Sequence, residues 1–470
     1  MYLSKLIDTS IKIDIKGITS DSRLVKKDYL FVILSINNNT MNYVYEAISN
    51  GACAILSQEK YTYEIPNIIV DNPLSTLKEI LPKFYKNYYK PKLIGITGTD
   101  GKTSTALFTY HLLDNCAYIG TNGIIYNNKK ESSFLTTPIL STNYALLDYF
   151  STINLNTAIM EVSSEGILNE RIYGLEYDYA VFTNLSHEHL NTHKTMDLYL
   201  ETKMKLFDQL KKKGIRIINN DDKYASYFIK DNHTYTFGIK NKADYQISNI
   251  RFFNNFTLFD FKTPTNIYKD LSINRCELYN LYNIIPAMII ALCENISIDI
   301  IKEKIKNIPI IEGRLEKVAN NKDINIYIDF AHTPNALDNV LSSVKQKTKG
   351  KLIHVFSSAG RKDKTKRPLM GMISDKYADI IILTSEDPKD EDPKTIINDI
   401  KEGILNTKYK CILSREKAII KALRLARKED TVIITGKGRE NTFTINNNTY
   451  IYSDFDVVKE YLNKKRTNLK

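Results

Sequence analysis

The chain of 470 residues contains no tryptophan, only five cysteines and no apolar run of membrane-spanning length. The most apolar stretch, IIPAMIIALC at 284–293, is too short to cross a bilayer, and the N-terminal MYLSKLIDTS lacks the apolar core of a signal peptide. We therefore expect a cytoplasmic protein without a membrane partner. Neither a disulfide framework nor a zinc site is indicated, because the cysteines are far apart and form no C-x-x-C pair; they are Cys53, Cys116, Cys276, Cys293 and Cys411.

The sequence also has no internal repeat and no low-complexity tail. Hydrophobic residues make up 43% and charged residues 25% of the chain, which is typical of a globular protein with room for several domains. The net charge of +11 could serve nucleic-acid binding, but the lysines are spread among Ile, Asn and Tyr residues and form no stripe. The longest basic run, Lys211 to Lys213, predicts an exposed helix end before Gly214. No nucleic-acid partner is expected.

The segment KLIGITGTDGKTSTALF, residues 92–108, predicts a strand, a loop and a helix in that order. Its first residues are apolar and β-prone, and the glycines at positions 98 and 101 let the backbone close on a ligand. At the N-terminus of such a helix, free N–H groups and the helix dipole favour an anion. A lysine there can reach the outer phosphates and a hydroxyl can bind magnesium. Lys102 and Thr103 fit those two roles.

This loop departs from the usual pattern G-x-x-x-x-G-K-[ST], because the first glycine would stand at position 96, which is Ile96. The glycine is Gly98 instead, so the loop is shorter than the usual one. A chance turn is the alternative, but the strand before the loop and the helix after it favour nucleotide binding. The reaction stays open at this point. Nucleotide binding is assigned to the whole loop, Gly98, Thr99, Asp100, Gly101, Lys102, Thr103 and Ser104.

The pattern of strand and helix signals predicts an α/β protein of three domains. Residues 1–90 alternate short strands and helices and end in the tyrosine- and lysine-rich segment FYKNYYKPK. Residues 91–311 alternate strand and helix signals, which predicts a doubly wound P-loop domain with ligands at the strand ends. Residues 312–470 contain four strands that are each followed by a polar turn, which predicts a Rossmann-like domain; they are IYIDFAH, KLIHVFSSAG, IIILTSEDP and TVIITGKG.

Two polar residues of the central segment follow predicted strands. Glu161 ends the apolar strand in IMEVSS, where a carboxylate could bind magnesium, and His189 in FTNLSHEHL could be a second ligand. A capped strand and a surface imidazole are the simpler alternative for each residue alone. Because loops after the strands of a doubly wound sheet converge on the ligand, we favour the metal site.

Other charged residues leave two interpretations open. Lys203 lies on a predicted helix, where a solvated surface charge is the ordinary expectation. Arg314, beside Gly313 at the start of the last domain, could reach a phosphate across a cleft or could be an exposed charge at a hinge. Asp329 and His332 in DFAHTP end another predicted strand, and a hydrogen-bonded turn histidine is the alternative to a ligand-binding one.

The order of these motifs along the chain resembles the Mur ligase family. The resemblance runs from ITSDSR at 18–23 to GKGRE at 436–440 and so covers nearly the whole chain. Within the family, the sequence is similar to members that add a diamino acid to UDP-N-acetylmuramoyl-L-alanyl-D-glutamate in peptidoglycan synthesis. Ten ordered motifs carry it: TGTDGKTS, LTTP, MEVSS, FTNLSHEHL, YLETK, EGRLE, DFAHTP, DKTKRPLMG, SEDPKDEDP and GKGRE.

The resemblance implies an N-terminal domain for the UDP-sugar, a central ATPase domain and a C-terminal domain for the incoming amino acid. It also implies a reaction in which ATP phosphorylates a carboxylate and an amine attacks the acyl phosphate. The cofactors would be ATP and Mg²⁺, and the partners would be the UDP-N-acetylmuramoyl dipeptide and a free diamino acid. The protein would act as a monomer.

The resemblance further implies roles for single residues. Lys102 would hold the β- and γ-phosphates, and Thr103, Glu161 and His189 would bind magnesium. Lys203 would be carbamylated, which turns a cation into an anion that can bind a second magnesium. The catalytic set is therefore Lys102, Lys203, Glu161 and His189.

Two other groups of residues would bind substrates by the same resemblance. The nucleotide would be contacted by Asn280 and Asn283 near the adenine and, from the last domain, by Arg314, Asp329 and His332. The UDP-linked peptide would be held by Ser22 near the uridine and by Thr136, Thr137, Ser163 and Arg171.

The sequence differs from the family pattern at several places. Glu165 stands where the family has the histidine of S-S-H, the usual D-H-L-D is Glu188-His189-Leu190-Asn191, and a usual glycine is Glu277. The proposed magnesium ligands survive these changes, so ATP chemistry remains the interpretation.

The pocket for the incoming amino acid differs more. Members that add diaminopimelate typically have D-N-P-R, which here is Glu386-Asp387-Pro388-Lys389, and another family arginine is Lys362. A lysine cannot offer the two-pronged contact that arginine makes with a carboxylate, and Asp387 adds a negative charge that suits an ammonium. Diaminopimelate and L-lysine therefore both stay open. Gly436 and Glu440 match family positions that handle the amino acid.

Two alternatives to the leading hypothesis remain. A related ligase could use the same scaffold on another carboxylate, although ITSDSR and LTTP argue against it. A P-loop NTPase switch that binds nucleic acid would be a different class, with the positive net charge as its support.

Overall fold

The structure is a computed structural model that describes residues 1–60, 64–230, 233–446 and 448–467. The N-terminal part forms a four-stranded parallel sheet in the order β1-β2-β3-β4. Asn72 begins the second helix by accepting a hydrogen bond from the Ser75 backbone N–H at 3.0 Å, a cap that satisfies a free helix-end donor. The elements are β1 Gly17–Thr19, β2 Tyr29–Val32, α1 Thr40–Ser49, β3 Ala52–Ser57, β4 Asn67–Ile69 and α2 Pro73–Phe84.

The central part is built on an eleven-stranded sheet in the order β15-β14-β13-β12-β11-β10-β5-β9-β6-β7-β8. The middle of the sheet, from β13 to β6, is parallel, as the predicted doubly wound fold requires. Antiparallel strands extend both edges, a feature the alternating pattern did not predict. The strands are β5 Lys92–Thr97, β6 Cys116–Gly120, β7 Gly123–Tyr126, β8 Lys129–Glu131, β9 Thr157–Glu161, β10 Tyr177–Phe182, β11 Leu210–Asn219, β12 Thr234–Gly238, β13 Tyr245–Phe252, β14 Thr257–Lys262 and β15 Ile267–Ile273.

Helices cover both faces of this sheet. The apolar stretch at 284–293 lies in α9 and is largely buried against the core that also contains Ala106, Phe108 and Leu112 of α3. In the described part of the chain, no helix is both long and apolar enough to span a bilayer. The helices are α3 Lys102–Leu112, α4 Leu140–Thr152, α5 Ser164–Leu168, α6 Leu190–His193, α7 Met196–Phe207, α8 Ala225–Phe228, α9 Leu278–Cys293 and α10 Ile298–Lys306.

The run Lys211 to Lys213 lies inside β11 and not at a helix end, so that prediction is wrong. Helix α7 ends at Phe207, and the pairing of β10 with β11 shifts register where the lysines lie. The irregularity leaves Lys212 and Lys213 exposed, whereas the last three residues of the strand, 217–219, are buried. A bulged strand of charged residues has no period-two pattern, which explains the error.

The C-terminal part contains a six-stranded sheet in the order β16-β17-β21-β18-β19-β20, parallel except for the first pair. The four predicted strands correspond to β17, β18, β19 and β21, whereas the short β16 and β20 were missed. The elements are β16 Glu316–Lys317, β17 Asn325–Asp329, α11 Pro334–Lys347, β18 Leu352–Phe356, α12 Lys366–Tyr377, β19 Ile380–Leu383, α13 Pro393–Lys401, β20 Tyr409–Cys411, α14 Arg415–Leu425, β21 Thr431–Thr435, the hairpin β22 Thr442–Ile445 and β23 Asn448–Ile451, and α15 Asp454–Thr467.

Candidate active site

A cavity of about 680 Å³ lies where the carboxyl ends of β5 and β9 face those of β17, β19 and β21. Most of the predicted site residues line it: Thr99, Asp100, Gly101, Lys102, Thr103, Ser104, Thr136, Glu161, Ser163, Arg171, His189, Asn283, Arg314, Asp329, His332, Lys362, Asp387, Lys389, Gly436 and Glu440. A second cavity of about 650 Å³, beside the C-terminal half of α3 and residues 308–312, contains none of them.

The phosphate loop depends on its two glycines. Gly98 has φ 150° and Gly101 has φ 86°, and the second value lies in the left-handed region that side chains other than glycine rarely adopt. A Cβ atom at Gly101 would collide with the side-chain oxygen of Asn283, and one at Gly98 with the Thr183 hydroxyl. The loop therefore needs glycine at both positions for backbone shape and for space.

Lys102, the first residue of α3, folds back over this loop. Its Nζ donates hydrogen bonds to the carbonyl oxygens of Gly98 at 2.9 Å and Thr99 at 2.8 Å. Burial lowers the pKa of this amine, while Glu161 and Asp100 act in the opposite direction. The side chain therefore lies at the loop where an anion would bind, next to the free N–H groups of the helix end.

Glu161, the last residue of β9, joins the loop to the C-terminal part. Its Oε2 accepts a hydrogen bond from Thr103 Oγ1 at 2.9 Å, and Arg314 donates to the same hydroxyl oxygen at 2.9 Å. Its Oε1 accepts hydrogen bonds from the Tyr118 hydroxyl and from the Thr121 backbone N–H. Arg314 therefore reaches the nucleotide loop across the cleft, and the exposed hinge charge considered as its alternative is wrong.

The Thr103 hydroxyl and Glu161 carboxylate are hard oxygen donors that suit magnesium, and their 2.9 Å separation lets one ion contact both. The described residues include no group of three or more His, Cys, Asp and Glu that could hold a metal. Proteins rarely surround magnesium with their own ligands alone. The ion is usually bound by one or two protein oxygens, and phosphates and water molecules complete its coordination. The residues present therefore fit the ion.

Lys203 on α7 is buried, with 1% of its surface exposed, so the surface-charge alternative is wrong. Its Nζ donates to the Gly98 carbonyl oxygen at 2.8 Å and lies 4.6 Å from the centre of the Tyr199 ring. Burial, and after it the neighbouring Lys102, hold the pKa of this amine well below its usual range. Lowering the pKa of an amine increases the share of its neutral form, which is the nucleophilic form. Lys203 contacts the phosphate loop at the Gly98 carbonyl oxygen but is not among the residues that line the cavity.

His189 lies in the loop after β10, and its backbone adopts φ 60°. Only 24% of its side chain is exposed, so the surface-imidazole alternative is wrong. Its Nδ1 is buried and forms no hydrogen bond with any residue that the structure describes; a carboxylate oxygen of Glu165 lies 3.8 Å away. Burial, followed by the cations Lys362 and Lys203, lowers the pKa of the imidazole. A neutral imidazole with a free ring nitrogen is able to bind a metal ion.

Asp329 and His332 face the cavity from the end of β17. The Asp329 carboxylate accepts backbone hydrogen bonds from Leu315 at 2.5 Å and Ala331 at 2.6 Å, which fixes the segment that carries Arg314. His332 Nδ1 lies 2.8 Å from the Phe330 carbonyl oxygen, and burial lowers its pKa to about 3. His332 is thus both a hydrogen-bonded turn histidine and a cavity residue.

The predicted adenine residues are divided between two environments. Asn283 lies against Gly101 and lines the cavity. Asn280 is buried and donates to Glu277 at 3.0 Å; it is not among the residues that line the cavity.

The residues predicted to bind the UDP-linked peptide lie in three different places. Thr136, Ser163 and Arg171 line the cavity. Thr137 is buried and donates to the Glu161 carbonyl oxygen at 2.8 Å, so it supports the strand end. Ser22 lies in the N-terminal part, where its hydroxyl contacts Glu46, and it does not line this cavity.

The predicted amino-acid pocket forms a charged cluster at the other end of the cavity. Asp387 is engaged by Lys437 and by the backbone N–H of Thr444 at 2.7 Å, and Lys437 also donates to Glu440 at 2.9 Å. The Asp387 carboxylate therefore has a cationic partner within the protein, which it shares with Glu440, so its charge alone does not identify an ammonium-binding site. Lys437 was missed from the sequence because a single lysine beside a predicted glycine carries no distinct signal.

Glu386 was also missed. It is buried and lines the cavity, and within the described part of the chain its Oε2 has no hydrogen-bond partner. Burial raises its pKa to about 7, although Arg415 and Lys437 act in the opposite direction. A Cβ atom at Gly436 would collide with this carboxylate, so the glycine leaves space for it. The signal available in the sequence was its place in the stretch Glu386-Asp387-Pro388-Lys389, which lies in the loop after β19.

Two lysines give this end of the cavity positive charge. The Nζ of Lys362 lies 3.2 Å from the Oε1 of Glu165, a residue of the central part. Lys389 forms no hydrogen bond or ion pair through its Nζ with any described residue, and burial and the nearby Lys362 lower its pKa.

The fold and the site define a multidomain P-loop enzyme, in which a nucleotide loop and a C-terminal domain share one cavity. Residues 96–291 match the Mur ligase middle domain, and residues 313–438 match the Mur ligase glutamate ligase domain. A relative from Aquifex aeolicus is 38% identical over 462 residues, which cover 95% of this chain and 94% of the relative. The chain therefore belongs to the Mur ligase family, whose members are ATP-dependent ligases.

The Aquifex aeolicus relative is named UDP-N-acetylmuramoyl-L-alanyl-D-glutamate--2,6-diaminopimelate ligase. A relative of the same name from Bacillus velezensis is 36% identical over 473 residues, which cover 96% of each chain. A solved structure with that enzyme name has 26% sequence identity and a TM-score of 0.60, and the match covers 99% of both chains. The similarity therefore extends through all three parts of the fold.

Proposed function

We propose that this protein is an ATP-dependent amide ligase that adds a diamino acid to UDP-N-acetylmuramoyl-L-alanyl-D-glutamate in peptidoglycan synthesis. A carboxylate is a poor acyl donor, so ATP first phosphorylates it; the amine then attacks the acyl phosphate, and phosphate leaves. The observation that carries the proposal is the shared cavity, in which Lys102, Glu161 and His189 face charged side chains of the C-terminal part.

The residues around the phosphate loop have separate tasks in this proposal. Lys102 binds the β- and γ-phosphates, and Arg314 approaches them from the C-terminal domain. Thr103, Glu161 and His189 would hold magnesium, which neutralises charge that develops during phosphoryl transfer. The lowered pKa of Lys203 suits carbamylation, because carbon dioxide reacts with an amine that has lost its proton.

The UDP-linked substrate would extend from the central cavity towards the N-terminal domain. Thr136, Ser163 and Arg171 line the cavity beside Glu161 and would place the acceptor carboxylate next to the γ-phosphate. Ser22 stays the candidate for the uridine end.

We propose diaminopimelate as the amino acid. The curated relatives at 36% and 38% identity are named for it. Lys389 offers positive charge for its second carboxylate, a group that lysine lacks, whereas the charge of Lys362 is already paired with Glu165. Because Asp387 shares the cation Lys437 with Glu440, its negative charge alone does not favour lysine over diaminopimelate.

Product formation with purified protein tests this proposal. ATP, magnesium and the UDP-linked dipeptide would be combined with meso-diaminopimelate, L-lysine or L-ornithine, and the UDP-linked product would be identified by mass spectrometry. We expect phosphate release and a tripeptide product with diaminopimelate. A lysine product would overturn the choice of amino acid, and no product with any diamino acid would overturn the ligase proposal. Light scattering and cell fractionation would check the predicted monomer and its cytoplasmic location.

A further inference from the structure

The loop that carries His189 is attached to the C-terminal domain on both sides of that histidine. His187 Nε2 lies 2.7 Å from Thr365 Oγ1 and 3.3 Å from Asp363 Oδ2. The Leu190 backbone N–H donates to the same Asp363 carboxylate at 3.4 Å. No described residue forms a hydrogen bond with the Nδ1 of the His189 imidazole itself. These contacts therefore fix the residues on either side of His189, and they leave its ring available to bind a metal ion.

The strongest of these contacts joins Glu188 to Lys366. Lys366 Nζ lies 2.9 Å from each oxygen of the Glu188 carboxylate and donates to the His332 carbonyl oxygen at 2.8 Å. Only 3% of the lysine side chain and 2% of the glutamate side chain are exposed. All three ammonium hydrogens thus have acceptors, as a buried charge requires.

The backbone of this loop needs such support. His189 has φ 60° and Lys194 has φ 67°, and both values lie in the left-handed region. Residues other than glycine keep this conformation where the surrounding structure holds them in it. The short helix α6 starts directly after His189, and a four-residue helix contributes little rigidity of its own.

We propose that Lys366 is a positioning residue, which through its ion pair with Glu188 fixes the segment His187–Leu190 and so places the His189 imidazole at the phosphate site. The C-terminal domain then has two tasks: it supplies residues to the cavity, and it completes the position of a metal-binding side chain that belongs to the central domain. Metal binding and phosphoryl transfer become dependent on closure of that domain. The inference rests on the proposed function only in assigning ATP and magnesium to this cavity.

The first test compares Lys366→Met with Lys364→Met. Lys364 lies two residues away, is exposed and contacts Glu391 of its own domain at 3.2 Å, so it is a matched control. We expect Lys366→Met to raise the magnesium concentration for half-maximal activity about tenfold or more, the range known for loss of groups that orient metal ligands. The half-saturating concentration of the UDP-linked substrate should change less than threefold. Equal magnesium dependence in both variants would overturn the proposal.

The second test measures the position of His189 without metal or turnover. The ring signals of ¹³C-labelled histidine would be recorded by NMR, with the His189 signal assigned by its loss in His189→Gln. We expect one sharp His189 signal in the unaltered protein and in Lys364→Met, and a shifted or broadened signal in Lys366→Met. This result is independent of ligation, so a failed ligase assay and a failed positioning role are distinguishable.

Because Lys366→Met leaves the Glu188 charge buried and unpaired, a double variant controls for loss of folding. Glu188→Gln with Lys366→Met removes both charges and should fold more stably than the single variant. We expect the double variant to keep the altered His189 signal and the raised magnesium requirement. A return of both properties to the values of the unaltered protein would overturn the proposal.

Discussion

At the residue scale, Lys203 gives the sharpest prediction. Its buried amine would be carbamylated, so Lys203→Ala should lower kcat about 100-fold or more through loss of a charge that orders magnesium. Short carboxylates such as formate or acetate should restore part of the activity, because they can occupy the space of the carbamate. Steady-state kinetics with and without the added carboxylate would measure this.

Lys205→Ala is the matched control, since Lys205 lies on the same helix but is exposed. It should retain activity and should not respond to carboxylates. Full activity of Lys203→Ala would show that the carbamate role is wrong.

A second residue-scale prediction concerns Glu386 and pH. Its carboxyl pKa is raised from 4.5 to about 7, chiefly by burial. Between these values the folded protein binds a proton that the unfolded chain has released, so the free energy of unfolding falls as pH rises through this window. The difference corresponds to about 3 kcal/mol. Glu386→Gln should remove most of this decrease, as measured by denaturant unfolding at pH 5 and pH 8.

Glu391 provides a control of opposite sign. Arg367 holds the pKa of this carboxyl at about 2, below its ordinary 4.5, so its stabilising contribution is present above pH 4.5 and is lost as pH falls towards 2. Glu391→Gln should therefore leave the change between pH 5 and pH 8 as it is. An unaltered pH dependence in Glu386→Gln would contradict the prediction for Glu386.

At the element scale, the phosphate loop depends on the conformation of Gly101. Gly101→Ala places a Cβ at φ 86° and against Asn283, so we expect a loss of about 1 kcal/mol or more in unfolding free energy. ATP affinity, measured by isothermal titration calorimetry, should fall about tenfold or more. In the Asn283→Ala background the collision is absent and only the backbone strain remains, so the added alanine should cost less stability. Unchanged ATP affinity in Gly101→Ala would contradict this account.

The elements that the sequence predicted best are those in which pattern and chemistry coincide. Residues 92–108 combine an apolar strand, two glycines and a helical repeat, and they form β5, the loop and α3 as expected. The strand ends at Glu161 and Asp329 were recognisable for the same reason. Edge strands were not, because β16 has two residues and β20 has three, and such lengths contain no periodic signal.

Burial explains which site residues were difficult to interpret. Lys203 and His189 each had a simple surface alternative, and only packing between distant segments shows that Lys203 is buried and His189 is half-buried. Lys437 and Glu386 form contacts with residues far along the chain. A single sequence provides no information on such pairings, so the charge balance of the amino-acid pocket required the structure.

At the scale of the whole molecule, the N-terminal and central parts share one apolar core. It includes Leu30, Leu56 and Leu77 of the first sheet and helices together with Met160 and Phe182 of the second. The C-terminal sheet has its own cores on its two faces. Contacts between the C-terminal and central parts include many polar ones, as is usual for domains that move relative to each other.

This division predicts how the protein unfolds. Differential scanning calorimetry should resolve two transitions, one for residues 1–311 and one for the C-terminal domain, because a shared apolar core unfolds cooperatively whereas a polar interface separates. Asp100 accepts hydrogen bonds from Thr333 at 3.0 Å and Asn335 at 2.9 Å across this interface, so Asn335→Ala should bring the domains closer to independent unfolding. A non-hydrolysable ATP analogue should raise both transition temperatures, since it would contact both domains. A separate transition for the N-terminal domain would show that the shared core does not couple the first two parts.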